Sequence, residues 1–269
     1  MRQSQHLQIA KRHDDLVTVA AIAALAFKLA DIGHEVVGHS IGFVLAGGHS
    51  AVLTTTRLNE TQRLGDRGGD IFDLGGPFGN LLFAGLSWLG LRFVPPAARR
   101  LRLLLWQVMA FSLFWGFAYL MFCGVFGRGD WFALIRAAAN QWIWRIVFVG
   151  VGFWLYRVSL KLLTVELQGI TCRTRAWRLL LTCYCTGGVI ACLGASLDPR
   201  GAYAILHDAA LSGFGSAIGM LEIPRRLARP VIDDPADAGI ERSVGWITAA
   251  AAFAVFYICF LGPGIKVAF

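Results

Sequence analysis

A chain of 269 residues with 56% hydrophobic and only 16% charged side chains, at a formal net charge of +8, is short of solvated surface, because soluble domains carry about 25% charged residues. With a mean hydropathy of +0.58, a disordered chain, a disulfide-built secreted scaffold and an ordinary soluble enzyme are excluded. The uncharged runs 75–91, 103–127, 179–197 and 243–265 are close to or above the roughly 20 helical residues that cross about 30 Å of hydrocarbon, and they mark a multi-pass membrane protein.

Six spans are expected, at about 16–46, 75–94, 103–127, 131–156, 178–197 and 244–265. Residues 1–269 then form a single all-α polytopic domain, with one short β-like segment at the membrane edge after the first span. The polar tail 1–15 mixes Arg2, Lys11 and Arg12 with Asp14 and Asp15. No small-residue cleavage site follows it, so no signal peptide is expected. The first span is long enough to tilt or bend. It carries Lys28 and Asp31, which can neutralise one another at i, i+3, and then Gly33-His34-Glu35-Val36-Val37-Gly38-His39.

After Gly47-Gly48, the β-prone run Val52-Leu53-Thr54-Thr55-Thr56 reads as a short hairpin or edge strand. His49 reads as loop surface. Gly76-Pro77-Phe78-Gly79-Asn80 opens the second span, and Gly127-Arg128-Gly129-Asp130-Trp131 joins the third to the fourth. In the fourth span Arg136 can snorkel, whereas Arg145 lies deep enough to need a partner. The Trp and Phe residues of 142–154 face lipid or pack. Cys183 and Cys185 read as packing residues, since no CxxC pair occurs among the cysteines. Segment 198–242 reads as a long polar loop with Asp198, His207 and Asp208, exposed at 224–242 where Pro224, Pro230 and Pro235 accompany mixed charges.

Ionisable side chains within a membrane span are costly and default to a functional role. Two imidazoles can ligate zinc, and a neighbouring carboxylate can take a proton from a metal-activated water. In the motif H-E-x-x-H the two histidines share a helix face at i and i+4. Here the string is HEVVGH, with histidines at i and i+5, roughly 140° apart on a regular α-helix. A one-residue π-bulge would realign them, and Gly38 is where the backbone tolerates it. An undistorted helix would instead group Asp31, Glu35 and His39 on one face.

HEVVGH matches the H-E-x-x-G-H zinc motif of dipeptidyl peptidase III, a soluble enzyme. The membrane setting resembles the site-2 protease class of intramembrane zinc metallopeptidases, in which a zinc motif in a membrane helix precedes a Gly-containing turn, a β-like segment and a G-P-x-x-N motif on a later span. This chain has HEVVGHSIGFVLAGG at 34–48, the strand-like run at 52–56 and Gly76-Pro77-Phe78-Gly79-Asn80. The resemblance spans about 30–95. It implies His34 and His39 as zinc ligands, Glu35 as general base, and Asn80 beside the site, hydrogen-bonding substrate backbone.

A third ligand should come from the same membrane face. Asp130, held between two spans with Gly129 beside it, is favoured over Asp198, which has a Leu-Asp echo but is followed by Pro199. Asp130 as a plain helix cap remains an alternative. His207 and Asp208 could add to the site or simply lie at the interface.

The polar segments sort into two faces. Residues 1–15, 92–102, 157–178 and Lys266 carry a strong excess of Lys and Arg, whereas 47–74, 128–130 and 198–242 carry more acids than bases. By the positive-inside rule both termini are expected to be cytoplasmic, in a cell (inner) membrane. The basic excess then serves topology, and no nucleic-acid partner is expected. The resulting expectation is a zinc metallopeptidase that cleaves membrane-protein substrates. The competing one is a non-enzymatic ion relay, transporter or scaffold using the same polar residues.

Overall fold

A computed structural model describes residues 13–227 and 239–269; the tail 1–12 and residues 228–238, most of the expected exposed stretch 224–242, lie outside them. Among the described residues seven helices cross the body of the molecule: α1 (Leu16–Leu45), α2 (Asp66–Phe93), α3 (Arg99–Phe126), α4 (Gln141–Gln168), α5 (Arg173–Leu197), α6 (Ala204–Arg226) and α7 (Val244–Leu261). All except α2 are long and apolar enough to span a membrane. Six such helices were expected, but not these six.

The expected span at 75–94 is the apolar part of α2, whose first two turns hold Asp66, Arg67, Asp70 and Asp73. The expected loop 198–242 contains α6, whose mean hydropathy of 1.3 is the lowest of the six spans. His207, Asp208 and Glu222 break its apolar run. The expected span 131–156 starts ten residues later, at Gln141, because Asp130–Leu134 forms a short 3-10 turn instead.

Helix α1 starts where Asp15 caps it, accepting from Thr18 N and Thr18 Oγ1 at 2.8 Å. Thr18's backbone and hydroxyl donors hold the Asp15 carboxyl below its ordinary value. Val19, Ile22, Ala23, Ala26, Phe27 and Ala30 are all buried. Their spacing of three and four residues makes one apolar stripe, which packs against α3 and α5. Phe27 meets Phe111 edge-on at 5.3 Å and stacks with Trp115 at 6.0 Å. Trp106 Nε1 donates to Leu163 O at 2.9 Å, tying α3 to α4. In hydrocarbon, contacts of this kind stabilise helix pairs through close packing and satisfied polar groups, since lipid supplies no hydrophobic drive between helices.

A three-stranded antiparallel sheet, ordered β2-β1-β3, closes one end of the bundle. Strands β1 (Ser50–Leu53) and β2 (Leu58–Glu60) are the expected hairpin, and β3 (Ile265–Ala268) is an addition. β3 pairs Ser50 with Ala268 and Leu53 with Ile265. At the other end of α1, Asp15 N bonds Ile240 O at 2.7 Å and Arg175 pairs with Asp14 at 2.8 Å. The two ends of the described chain therefore lie at opposite ends of the bundle.

Candidate metal centre

The centre lies where α1 abandons α-helical geometry. Residues Ile32–His39 form a π-helix, continuous with Leu16–Asp31 before it and Ser40–Leu45 after it. Hydrogen bonding from i to i+5 brings residues five apart onto one side. His34 and His39 accordingly face each other with ring centroids 4.9 Å apart and planes at 85°. The distortion covers eight residues, where a single bulged residue was expected.

Both imidazoles are fixed from behind. His39 Nδ1 lies 2.9 Å from Phe72 O, and His34 Nδ1 lies 2.9 Å from the side-chain amide of Asn80. With the Asn80 amide turned so that its oxygen meets Nδ1–H, the buried Asn80 Oδ1, otherwise without a partner, is satisfied, and His34 Nε2 keeps its lone pair. Asn80 is fully buried. It lies beside the site, as expected, and orients His34. Trp115 stacks on the His34 ring at 4.7 Å, and Phe72 covers His39 at 4.9 Å.

The two Nε2 atoms point at Asp130. Its Oδ2 lies 3.1 Å from His34 Nε2 and 3.4 Å from His39 Nε2, close enough for contact but without hydrogen-bond geometry, so this buried oxygen has no hydrogen-bond partner. Burial alone would push the Asp130 carboxyl up, but the adjacent His39 and His34 outweigh it and hold the group well below the usual carboxylate range. Backbone on both sides sets the position. Gly127 closes α3 in the left-handed region at φ 63°, and Gly129 has φ 100°, where a Cβ would also strike Cys123 Sγ and Tyr119 Oη at 2.9 Å. Trp131 Nε1 donates to Gly116 O at 2.9 Å, and Arg136 pins the turn to α2 through Asp70 at 3.3 Å and Asp73.

Glu35 sits on the hairpin side, with carboxylate oxygens 3.9 Å from His34 Nε2 and 4.0 Å from His39 Nε2. Its Oε2 accepts from Leu58 N at 3.1 Å, at the start of β2. The donor atoms of His34, Glu35 and His39 all lie within 4.8 Å of one another. Helix α2 presses against them through glycine: a Cβ at Gly76 would lie 2.5 Å from His39 Nε2 and 2.6 Å from His34 Nε2. Gly38 and Gly75 meet backbone to backbone, so the two glycine-bearing motifs are the contact that seats α2 on the π-helix.

The remaining sequence candidates fall elsewhere. Asp198 bonds Thr56 Oγ1 at 2.8 Å and Arg200 at 2.9 Å. Burial pushes its carboxyl up, but Arg200 and Thr56 hold it below its ordinary value. Lys28 pairs with Asp31 at 3.0 Å as expected, and Tyr257 Oη adds a bond to Asp31 at 2.9 Å. Arg145 finds its partners in the C-terminal carbonyls of α3, Gly124 O at 2.8 Å and Val125 O. Cys183 accepts from Gln107 at 2.8 Å, and the cysteines of the described chain are all free. His207 stacks on Tyr203 at 4.6 Å.

A cavity of about 640 Å³ joins these parts, lined by His34, Glu35, His39 and Asp130 at one side and by Tyr203, His207, Asp208 and Ser212 of α6 at another. Trp115, Tyr119 and the Phe72 carbonyl were not foreseen, because nothing local separates them from the chain's many other aromatic residues. No protein-family model, curated protein or solved structure matches this chain.

The donor set fits a metal. Two imidazoles with occupied Nδ1 atoms and a carboxylate oxygen without a hydrogen-bond partner converge at one point, as metal ligands do.

Proposed function

We propose that the chain is an intramembrane zinc metallopeptidase that hydrolyses peptide bonds in or near membrane-spanning segments. The observation that carries this reading is the convergence of His34 Nε2, His39 Nε2 and Asp130 Oδ2 beside a second carboxylate that is farther from both nitrogens. Three protein ligands with a fourth position left to water is the arrangement of hydrolytic zinc sites. Zinc held there supplies Lewis acidity, which acidifies water and polarises a scissile carbonyl.

The chain's own groups do the rest. Asp130 is nearer both nitrogens than Glu35 is, so Asp130 is the third ligand and Glu35 is free to take the proton of the attacking water. Leu58 N holds Glu35 in place, and Asn80 and the Phe72 carbonyl hold the imidazoles. The cavity leaves room for an unwound stretch of substrate. The N-terminal end of the bundle, richer in Lys and Arg among the described residues, faces the cytoplasm in this reading.

A proton or ion relay is less well supported. The buried polar line from Asp130 through Glu35 to Asp31 and Lys28 stops there, because Phe27, Ala26, Ala23, Ile22 and Val19 continue α1 at 1% exposure or less. The test is metal content. Purified protein should carry about one zinc per chain, and chelation should abolish cleavage of a transmembrane reporter peptide. Folded protein that contains no metal and cleaves nothing would leave the relay standing.

A further inference from the structure

The cavity's charges do not balance locally. Among the described residues, each acid that lines it outside the metal centre has a basic partner: Asp31 pairs with Lys28, Asp73 with Arg136 and Asp208 with Arg200. Two cations lining the same cavity have no acidic partner, Arg57 and Arg128. Both are exposed, and both sit next to catalytic groups in the chain. Arg57 precedes Leu58, whose amide holds Glu35, and Arg128 lies two residues before Asp130.

Their backbones are fixed before anything binds. Arg57 closes the hairpin turn, its carbonyl accepting from Thr54 N at 2.9 Å and its amide donating to Thr54 Oγ1 at 3.2 Å. Arg128 stands between two left-handed glycines, with its guanidinium 5.7 Å from the Phe122 ring. A fixed backbone limits the ordering that binding requires to the two side chains. They also lie at the sheet end of the bundle, where they add nothing to the basic excess that sets orientation.

We infer that Arg57 and Arg128 form an anion-recognition pair at the mouth of the cavity, selecting polypeptide substrates with an Asp or Glu close to the scissile bond. The inference rests on the peptidase reading and names the substrate class of that site. Two exposed charge contacts predict a preference of about tenfold, strongest at low salt.

Full-length protein in nanodiscs should be tested with paired transmembrane peptides carrying Asp and Glu, or Asn and Gln, beside the cleavage site. Tight binding is read with Glu35→Gln protein, and cleavage with wild type. The acidic peptide should bind and be cleaved about tenfold better. Arg57→Gln/Arg128→Gln should bring the ratio near one, and Arg57→Glu/Arg128→Glu should invert it toward Lys-bearing peptides. Equal binding of the acidic and neutral peptides, or a preference that survives the double Gln change, overturns the pair. Wild type that binds with the preference yet cleaves neither peptide overturns the peptidase reading alone.

Discussion

At Glu35 the carboxylate sits about 4 Å from both imidazole nitrogens, farther from them than Asp130. Glu35→Gln keeps its size and removes its ability to accept a proton. Turnover should fall at least a hundredfold, in keeping with the loss of a general base, while metal content by mass spectrometry stays near one per chain. Loss of the metal would instead make Glu35 a ligand. Asp130→Ala removes a ligand and should strip most of the metal, whereas Asp198→Ala, which breaks a clamp to Arg200 and Thr56, should leave metal content unchanged. Asn80→Ala frees the His34 ring and should weaken metal affinity by about 10–100-fold, as is usual when an orienting partner is lost. A titration against a competing chelator reads all three.

Among the elements, α2 is the most sensitive to small changes. A methyl at Gly76 enters the space that the two imidazole nitrogens occupy. Gly76→Ala should therefore abolish metal binding even in protein that still purifies as folded, whereas Ala at Gly85, where a Cβ meets nothing within 4 Å, should be silent. The two motifs HEVVGH and GPFGN were readable because chemistry and close packing need particular residue types in a fixed order. The hairpin was readable from its β-branched run. Helix α6 was not, because its π and 3-10 turns are stabilised from outside. Tyr156 Oη both donates to Ser216 O at 2.7 Å and accepts from Gly219 N at 2.8 Å, satisfying backbone groups that a regular helix would pair internally. Strand β3 was equally hidden, since Ile265 continues the apolar run of α7 and its partners lie more than two hundred residues away. Asp130 and Asp198 were equivalent by span counting. The tight connection and Gly129 favoured Asp130 in the sequence, and the 3-10 turn then places it against the histidines.

For the whole molecule, the first and last described residues lie at opposite ends of the helix bundle. In a cysteine-free background, Cys placed at Arg63 and at Phe269 should label from one side of the membrane and Cys at Arg99 from the other. Equal labelling of Phe269 and Arg99 would sink the arrangement. The pairing of β3 with β1 also imposes an order in time. The hairpin that holds Glu35 through Leu58 N emerges early, but the strand that covers its other edge is made about 200 residues later. At about 5–20 residues per second, β1 waits roughly 10–40 s with an unpaired edge. Throughout that interval the newly made chain holds its histidines and Glu35 beside an unfinished sheet, so the synthesis of Ile265–Ala268 decides when the sheet over the centre is complete.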